Sequence, residues 1–355
     1  MGDIIKMRKY LLPETGNFYK ANLHCHTTVS DGSLDPETVK GAYMAQGYSV
    51  VAFTDHNVLI GHNDLTDNRF LALNGMEKQI SEEKDVPEIA NGSREQLTCH
   101  MCFIALDPDN LTQPCYNRTK YLSRKQEAAG IREKIKFDES KPDFIHEYTV
   151  DCVSAAMEEA KKCGFFVTYN HPNWSCETYE QYGYYHGMHA MEIVNYSSQS
   201  IGFEEYNPKV YDEMLRSGKR IGCVASDDNH NRRSFVSKHC DSFGGFTMIK
   251  AEALEYKAIT DALLSGNYYA SEGPEINELY YEDGKIYVKC SDAKKICMAT
   301  GKRDSARLFA EAGKYINEAD FAVLPEYNYV RITVIDEYGR HANSIAYFTD
   351  DIMKD

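Results

Sequence analysis

Seven apolar runs, separated by polar or helix-like segments, are the feature that most restricts how this chain can fold. Their hydrophobicity is continuous rather than alternating, which is typical of strands buried on both faces. The runs cover residues 21–26, 48–57, 70–77, 97–106, 164–173, 189–195 and 219–230. Because helical segments such as 37–46 and 152–163 lie between several of them, the pattern predicts an α/β chain with a parallel sheet. Seven strands of this kind predict a barrel, complete or incomplete.

Two segments depart from this rhythm. Residues 107–146 are polar and too long for an ordinary loop, which predicts a lid or a surface insertion. From residue 274 onward the pattern changes to short strands with turn signals, including Asp283-Gly284 as a hairpin turn. We therefore predict a barrel domain over residues 1–273, with the insertion at about 107–146, and a small C-terminal β-sandwich domain over 274–355.

The charge balance restricts the partners. The chain has 39 basic and 54 acidic residues and a net charge of −15, a field that repels an extended nucleic-acid backbone but leaves room for a small phosphorylated ligand. No apolar run approaches the ~20 residues that span a bilayer, so no membrane association is expected. Eleven cysteines, an odd number, without an export signal indicate reduced thiols and predict a cytoplasmic location.

Ligand-type side chains collect at the ends of the apolar runs. They are His24, His26, Asp55, His56, Glu77, His171, Asp227, Asp228 and His230. The carboxyl ends of the strands of a parallel barrel meet at one face, so these side chains are predicted to meet there. In an extended segment, His24-X-His26 points both rings to the same side, and Asp228-X-His230 repeats that spacing. Imidazole and carboxylate ligands together favour zinc, manganese or iron.

The motifs "HCHTTVSDG", "FTDHN", "NGME", "CH", "NHP" and "SDDNH", in this order over roughly residues 20–270, resemble those of the PHP family, the polymerase and histidinol phosphatase domain. The resemblance implies a distorted (β/α)7 TIM-like barrel that holds up to three metal ions and hydrolyses phosphoesters. It implies that Glu77 bridges two metals. The C-terminal segment resembles the sandwich found on some bacterial PHP proteins. The metal ligands implied by the resemblance are His24, His26, Asp31, His56, Glu77, His100, His171, Asp228 and His230.

A charge count agrees with phosphoester chemistry. Three divalent ions bring six positive charges, and Asp31, Glu77 and Asp228 offset three, which leaves room for a phosphate dianion and a hydroxide. We predict a hydrolase acting on a phosphoester of a small phosphorylated metabolite or nucleotide, with two to three Zn, Mn or Fe ions and a metal-bridging hydroxide as nucleophile. The predicted catalytic residues are Asp31, His56, Glu77, Asp228 and His230. The alternatives are a non-catalytic, metal-stabilised PHP module and a metal-dependent C–N hydrolase.

Several assignments stay open at this point. Asp227 is the alternative to Asp228 in the doubled "SDDNH" motif, and His100 lies inside an apolar run where a core histidine also fits. Asp31 is a ligand, a helix cap or part of a turn with Gly32. Asp55 either orients an imidazole or bonds within its turn.

Other residues have a structural and a functional interpretation. Cys99 and Cys102 form a redox pair or, with strand spacing that separates the thiols, have a structural role. The tyrosines of 179–189 line a pocket or pack in a surface loop. Arg232 and Arg233, which follow His230, are the first choice for substrate phosphate contacts and otherwise belong to a solvated loop; the other candidates are Arg118, Lys120, Arg124 and Arg132. The six remaining histidines assigned no ligand role are His62, His146, His186, His189, His239 and His341.

Overall fold

A large mixed sheet forms the body of the chain, whose structure is a computed structural model that describes residues 8–82 and 97–354. The strands are β1 (Lys9–Tyr10), β2 (Asn17–Asn22), β3 (Val50–Phe53), β4 (Leu71–Ser81), β5 (Thr98–Ala105), β6 (Phe165–Tyr169), β7 (Ala190–Asn195), β8 (Gly222–Ser226), β9 (Phe246–Ala251), β10 (Tyr268–Ser271), β11 (Ile276–Glu282), β12 (Lys285–Ala293), β13 (Lys295–Thr300), β14 (Ala306–Phe309), β15 (Ile316–Ala322), β16 (Tyr329–Ile335), β17 (His341–Ser344) and β18 (Tyr347–Phe348).

Helices lie between many of these strands. The α-helices are α1 (Pro36–Ala45), α2 (Arg124–Ala128), α3 (Val150–Lys162), α4 (Tyr179–Tyr182), α5 (Tyr196–Ser200), α6 (Pro208–Arg216), α7 (Tyr256–Ser265) and α8 (Thr349–Ile352), and 3₁₀ turns cover Asn63–Leu65 and Ile131–Lys134. The start of α1 follows from its sequence, because Asp35 accepts a hydrogen bond from the Thr38 amide and Pro36 occupies the first helical position.

The seven predicted strands are present as β2 to β8, and they are neighbours in a 14-stranded sheet in the order β2-β3-β4-β5-β6-β7-β8. Adjacent strands are parallel from β2 to β4 and again from β6 to β8. The expectation of a wholly parallel sheet is wrong at β5, which is antiparallel to both β4 and β6. Continuous hydrophobicity indicates burial on both faces but carries no information about strand direction.

The predicted (β/α)7 barrel is not confirmed, because the sheet is not closed. In the described part of the chain, the hydrogen-bonded path ends at β8, and β2 pairs on its other side with the antiparallel strand β9. Just beyond β2 and β8, a single parallel bridge joins Cys25 and Asn229, with the His26 amide donating to the Asn229 carbonyl at 3.0 Å. In the part of the chain that the structure describes, this backbone pairing of the two ends of the strand series lies beside the His24-X-His26 segment.

A second, four-stranded sheet of order β1-β11-β12-β15 packs on the C-terminal part of the large sheet. Apolar side chains from both sheets, such as Leu279, Val288, Ile296 and Ile332, form their shared core. The predicted turn at Asp283-Gly284 is present as the two-residue link between β11 and β12, with positive φ at both residues. The large sheet continues from β10 to β17, so the domain boundary at residue 273 stays a prediction.

The insertion at 107–146 lies against the loop that follows β3. Val58 packs with Tyr116, Ile131 and Ile135 in a small apolar cluster. Gln126 is buried and donates to the backbone carbonyl of His56 at 2.7 Å. The insertion therefore holds the backbone of His56, one of the predicted ligands.

The structure also bears on the predictions about membrane association and cysteine oxidation. None of the helices that the structure describes is long and apolar enough to cross a membrane. All eleven cysteines are free thiols. The cytoplasmic location stays a prediction.

Candidate metal centre

The structure brings all nine predicted ligands together in one cluster, at the end of the sheet where the parallel strands have their carboxyl ends. Six loops and strands supply them. The direction of β5 explains why His100 joins the cluster. Because β5 is antiparallel to its neighbours, its amino-terminal part lies beside the carboxyl-terminal part of β4, with His100 opposite Gln79 in the register. A histidine near the start of an apolar run thus reaches the same face as residues that follow the other strands.

Glu77 is the centre of the cluster and is 1% exposed. Its Oε1 lies 3.1 Å from His24 Nε2, 2.8 Å from His100 Nδ1 and 3.2 Å from His171 Nε2. Its Oε2 lies 3.3 Å from His26 Nε2 and 2.8 Å from His56 Nδ1. One carboxylate thus faces five imidazoles, and each of its oxygens is shared between ring nitrogens.

Asp228 also contacts the two first histidines, His24 and His26. Its Oδ1 is 2.9 Å from His26 Nε2 and 3.2 Å from His24 Nε2, and those two ring nitrogens are 3.1 Å apart. Asp228 Oδ2 lies 3.8 Å from His171 Nε2. Asp228 therefore completes a buried group of ligand atoms with His24 and His26.

A more exposed group lies at the mouth of the site. Asp31 Oδ1 is 3.3 Å from His230 Nε2, 3.7 Å from His56 Nε2 and 4.0 Å from His26 Nδ1. The Asp31 side chain is 40% exposed, whereas those of Glu77 and His24 are nearly inaccessible. The centre therefore has a buried inner part and an outer part open to solvent.

Unsatisfied polar atoms indicate what the centre is built to hold. Within the described residues, six buried ligand-type atoms of the centre have no hydrogen-bond partner: His26 Nδ1, Asp31 Oδ1, His56 Nδ1, Glu77 Oε2, His100 Nε2 and Asp228 Oδ1. Such atoms are costly unless another group binds them. His56 Nδ1 and Glu77 Oε2 are only 2.8 Å apart, yet they form no hydrogen bond. Imidazole nitrogens and carboxylate oxygens that converge in this way fit divalent metal ions.

The electrostatics of the centre reflect this crowding. Burial of Glu77 opposes ionisation, yet the surrounding imidazoles, led by His100, hold its pKa well below its usual range. Burial lowers the pKa of His171, but its hydrogen bond to Glu77 and the charge of Asp228 outweigh burial and raise that pKa to about 9. For His100 burial is the stronger effect and lowers the pKa to about 4. The charges of Glu77 and Asp228 thus favour a positive charge in the space between the ligand side chains.

The two aspartates of the doubled motif have different surroundings. Asp227 accepts hydrogen bonds from the Tyr43 hydroxyl at 2.8 Å and from the amides of Phe243, Gly244 and Gly245 at 2.7–3.0 Å. Asp228 instead faces the imidazoles, with a backbone φ of 55°. A second ligand-type residue, His171, also has positive φ, at 26°. Such conformations cost about 1–3 kcal/mol each and cluster at functional sites.

The turn that carries Asp31 is held by Asp55. Asp55 Oδ1 accepts from the Thr27 and Ser30 amides, and Oδ2 accepts from the Thr27 hydroxyl. A Cβ atom at Gly32 would lie 2.6 Å from the His26 carbonyl oxygen, so the turn can close this tightly only with glycine. Asp55 thus supports the backbone of the Asp31 turn, a role that differs from both interpretations offered by the sequence.

A pocket of about 910 Å³ opens above the centre. Its wall includes Arg232 and Arg233, and Arg232 contacts Asp31 Oδ2 through Nη2. Two other candidate phosphate contacts are engaged elsewhere, because Arg118 pairs with Asp143 and Arg132 pairs with Glu127.

Part of the pocket wall consists of residues that the sequence did not predict, because they belong to no ligand motif. Trp174 has its ring 5.0 Å from that of His171 and 5.3 Å from that of His100. The other missed lining residues are Gln79, Ser197, Ser198, Ser200, Ile201 and Asp241, and His239, left unassigned by sequence, also lines the pocket.

Cys99 and Cys102 lie on β5, where residues three positions apart point to opposite faces of the strand. Both are fully buried, Cys99 belongs to the apolar core, and the Asn170 side-chain amide donates to the Cys102 sulfur at 3.1 Å. Burial raises the pKa of both thiols, which opposes formation of the reactive thiolate.

The tyrosine-rich segment 179–189 contributes one tyrosine, Tyr185, to a buried carboxylate and none to the described pocket wall. Glu177 accepts hydrogen bonds from the hydroxyls of Tyr148, Tyr169 and Tyr185 at 2.5–2.8 Å. Tyr185 is buried, whereas Tyr184 is 64% exposed. The segment, which includes α4, is thus packed at the surface and held to Glu177 through Tyr185.

We expect Glu177 to make folding stability depend on pH. Burial outweighs the tyrosine hydrogen bonds and raises the Glu177 pKa to about 7. The folded state therefore retains a proton that the unfolded state releases above about pH 4.5, so its stabilising effect falls as pH rises from 4.5 through 7, by about 3 kcal/mol in total. Urea unfolding at pH 5 and pH 7.5 should show a smaller pH difference in Glu177→Gln than in the wild type; equal differences would contradict the assignment.

Comparisons with known proteins give partial matches. No family model matches the chain. A 5′-3′ exoribonuclease of Haemophilus influenzae is 54% identical over 43 residues, which are 12% of this chain and 15% of that protein's length. The chain resembles the PHP family.

Three solved structures also align with this chain. A two-domain protein of Bacteroides vulgatus containing a predicted PHP-like metal-dependent phosphoesterase aligns over 98% of this chain and 100% of its own, with 15% identity and a TM-score of 0.43. A protein of Bifidobacterium adolescentis, provisionally described as a metal-dependent phosphoesterase, aligns over 63% and 91%, with 17% identity and a TM-score of 0.38. An amidohydrolase of Chromobacterium violaceum with bound sulfate and no metal aligns over 59% and 87%, with 16% identity and a TM-score of 0.36.

Proposed function

We propose that this chain is a metal-dependent phosphoesterase that hydrolyses a small phosphorylated metabolite or nucleotide. The observation that carries the proposal is the group of six buried, unpartnered ligand atoms beneath a pocket whose wall contains two arginines. A floor that fits cations and a rim that fits anions suit a phosphate ester better than a neutral amide.

The proposed metal ligands fall into overlapping groups. His24, His26 and Asp228 form one, and His24, Glu77 and His171 form the next. Two further groups share His56: one adds Glu77 and His100, and the other adds His26, Asp31 and His230. Because Glu77 belongs to two groups and offers two oxygen atoms to the imidazoles around it, it is the proposed bridging ligand. Divalent ions bound there supply Lewis-acid polarisation of a phosphoryl oxygen and activation of water, and Zn, Mn and Fe are the proposed ions, two to three in number.

The residues of the rim have the task of binding and orienting the substrate. Arg232 and Arg233 offer guanidinium groups to the phosphate, and the His239 imidazole lies on the same wall. Arg232 is 61% exposed and already paired with Asp31, so it lies at the edge of the metal groups and within reach of a ligand in the pocket. Trp174 and Ile201 provide apolar surface that restricts water around the bound ester.

A second candidate substrate is the end of a short oligoribonucleotide. The 43-residue match to an exoribonuclease favours its inclusion, although the net charge of −15 opposes binding of extended nucleic acid. A substrate panel should therefore contain phosphomonoesters, short 5′-phosphorylated oligoribonucleotides and amides. Turnover of amides alone would support the C–N hydrolase, and metal binding without any turnover would support the non-catalytic module.

The two adjacent aspartates provide a matched test of the metal centre. Asp228→Asn is expected to lower metal content and to reduce kcat/KM by at least about 100-fold, because it removes a ligand atom shared by His24 and His26. Asp227→Asn is expected to retain the metal and to lower the free energy of unfolding by about 1–3 kcal/mol, because Asp227 holds the backbone of 243–245. Elemental analysis, phosphatase kinetics and urea unfolding of the purified variants measure these effects.

The reverse pattern would contradict these roles. Greater metal loss in Asp227→Asn than in Asp228→Asn would exchange the two assignments. Tyr43→Phe, which removes one hydrogen bond to Asp227, is the milder variant if Asp227→Asn does not fold. A wild-type protein without any transition metal after expression in supplemented medium would overturn the proposed function.

A further inference from the structure

Strand β7 supplies none of the nine proposed ligands, yet it carries a buried carboxylate directly behind them. Glu192 is 1% exposed. Its Oε1 accepts from His24 Nδ1 and from the Ser226 hydroxyl, each at 2.8 Å. Its Oε2 accepts from the His171 amide at 3.1 Å and from the Asn195 side-chain amide at 3.0 Å. Four donors thus use the full acceptor capacity of one carboxylate.

The contact with His24 determines which ring nitrogen faces the centre. Because a carboxylate can only accept, Nδ1 is the His24 nitrogen that donates to Glu192, which leaves Nε2, 3.1 and 3.2 Å from Glu77 and Asp228, as the nitrogen that would bind a metal ion. Rotation of the ring would break the 2.8 Å hydrogen bond to Glu192. Glu192 therefore holds His24 in the orientation that a metal ligand needs.

Asn195 extends this support to a third ligand. Its side-chain nitrogen donates to Glu192 Oε2 at 3.0 Å and to Asp228 Oδ2 at 3.1 Å. Its side-chain oxygen accepts from the Ser198 amide at the start of α5, which orients the amide group. The network therefore reaches the His24 ring, the His171 backbone and the Asp228 carboxylate from one strand.

We propose that Glu192, together with Asn195, is a positioning residue that organises the inner metal groups built on His24, His171 and Asp228. The inference rests on the proposed function, because it assumes that these residues bind metal. The outer group has a separate support: Asp241 accepts from the amides of His230 and Asn231 at 2.8 and 3.0 Å. The two supports share no residue, so their loss should affect different metal equivalents.

The test compares metal binding by the metal-free full chain in the wild type, Glu192→Gln, Asp241→Asn and Ser226→Ala. Glutamine replaces one acceptor oxygen by a donor, so two of the four donors would face an N–H group. Mn²⁺ and Zn²⁺ are the probes. The fluorescence of Trp174, the single tryptophan, reports the inner groups because its ring is 5.0 Å from that of His171, and elemental analysis after gel filtration counts the bound ions.

Glu192→Gln is expected to weaken the binding monitored by Trp174 by about 10–100-fold. Asp241→Asn is expected to leave that binding unchanged and to lose only the outer equivalent. Ser226→Ala removes a donor to the same oxygen without touching a ligand, so its metal affinity should equal that of the wild type. If Glu192→Gln does not fold by circular dichroism, Asn195→Ala tests the same network and should weaken binding in the same direction.

The outcomes separate the two hypotheses. A wild-type protein that binds neither ion overturns the proposed function itself. A wild-type protein that binds metal, with unchanged affinity in folded Glu192→Gln or Asn195→Ala, overturns the positioning role alone. Equal weakening in Glu192→Gln and Ser226→Ala would also overturn it, because the effect would then follow from disturbed packing around the carboxylate.

Discussion

Replacing Glu77 with glutamine is expected to reduce kcat/KM on the order of 10³-fold and to lower the number of bound metal ions. The reason is the position of this carboxylate, which lies within 3.3 Å of ring nitrogens from five histidines. Glutamine is nearly isosteric, but it removes the negative charge and turns one ligand atom into a donor that faces imidazoles. Steady-state kinetics on the best phosphoester substrate and elemental analysis of the same preparation measure both effects.

Glu278→Gln is the control for this experiment. Glu278 lies on β11 in the four-stranded sheet, and its exposed side chain pairs with Lys289 at 3.0 Å. An exposed pair of this kind contributes about 0–1 kcal/mol, so the control should match the wild type in metal content and turnover. Full activity in Glu77→Gln, with a metal content equal to that of the control, would remove Glu77 from the proposed centre.

Removal of the metals by a chelator is expected to abolish turnover and to lower the Tm of the wild type. Ions bound only by the folded state, at about 1,000 times their Kd, stabilise it by about 4 kcal/mol. Without them, the six unpartnered buried atoms of the centre lose their proposed partners. Thermal unfolding followed by circular dichroism, with and without chelator, measures the shift, and readdition of Mn²⁺ or Zn²⁺ should restore both Tm and activity.

Glu77→Gln provides the internal comparison for chelation. If this variant no longer binds metal, chelator should leave its Tm nearly unchanged. A wild-type protein whose Tm and activity resist exhaustive chelation, confirmed as metal-free by elemental analysis, would show that the centre needs no ion. Turnover that survives metal removal would likewise exclude the proposed phosphoesterase chemistry.

The residue pattern predicted the strands and helices of the β2–β8 region well because strand and helix signals are local. Each of the seven apolar runs overlaps a strand, although the first shares only residues 21–22 with β2, and the turn at Asp283-Gly284 is where its local chemistry requires it. Strand direction and sheet closure are not local. The antiparallel β5 and the open ladder between β8 and β2 depend on how distant segments pack, so the composition of each run could not reveal them.

The candidate centre shows the same division. Ligand-type residues at the ends of buried runs, such as His24, Glu77 and His171, were evident from the sequence, and the structure brings them together. The partners that support them were not evident. Glu192 lies in a strand without a ligand motif, Trp174 and Asp241 belong to loops, and only the folded chain places them against the centre.

The sequence by itself determined which functional groups this chain carries: imidazoles and carboxylates at spacings typical of metal ligands, in an order that resembles that of the PHP motifs. The tertiary structure alone decided how they are arranged. It turned Asp228 toward the imidazoles and Asp227 toward backbone amides, it brought His100 to the site through an antiparallel strand, and it placed Glu192 behind His24. The physical reason is that residue type defines what a side chain can bind, whereas strand direction, backbone conformation and burial define what it meets.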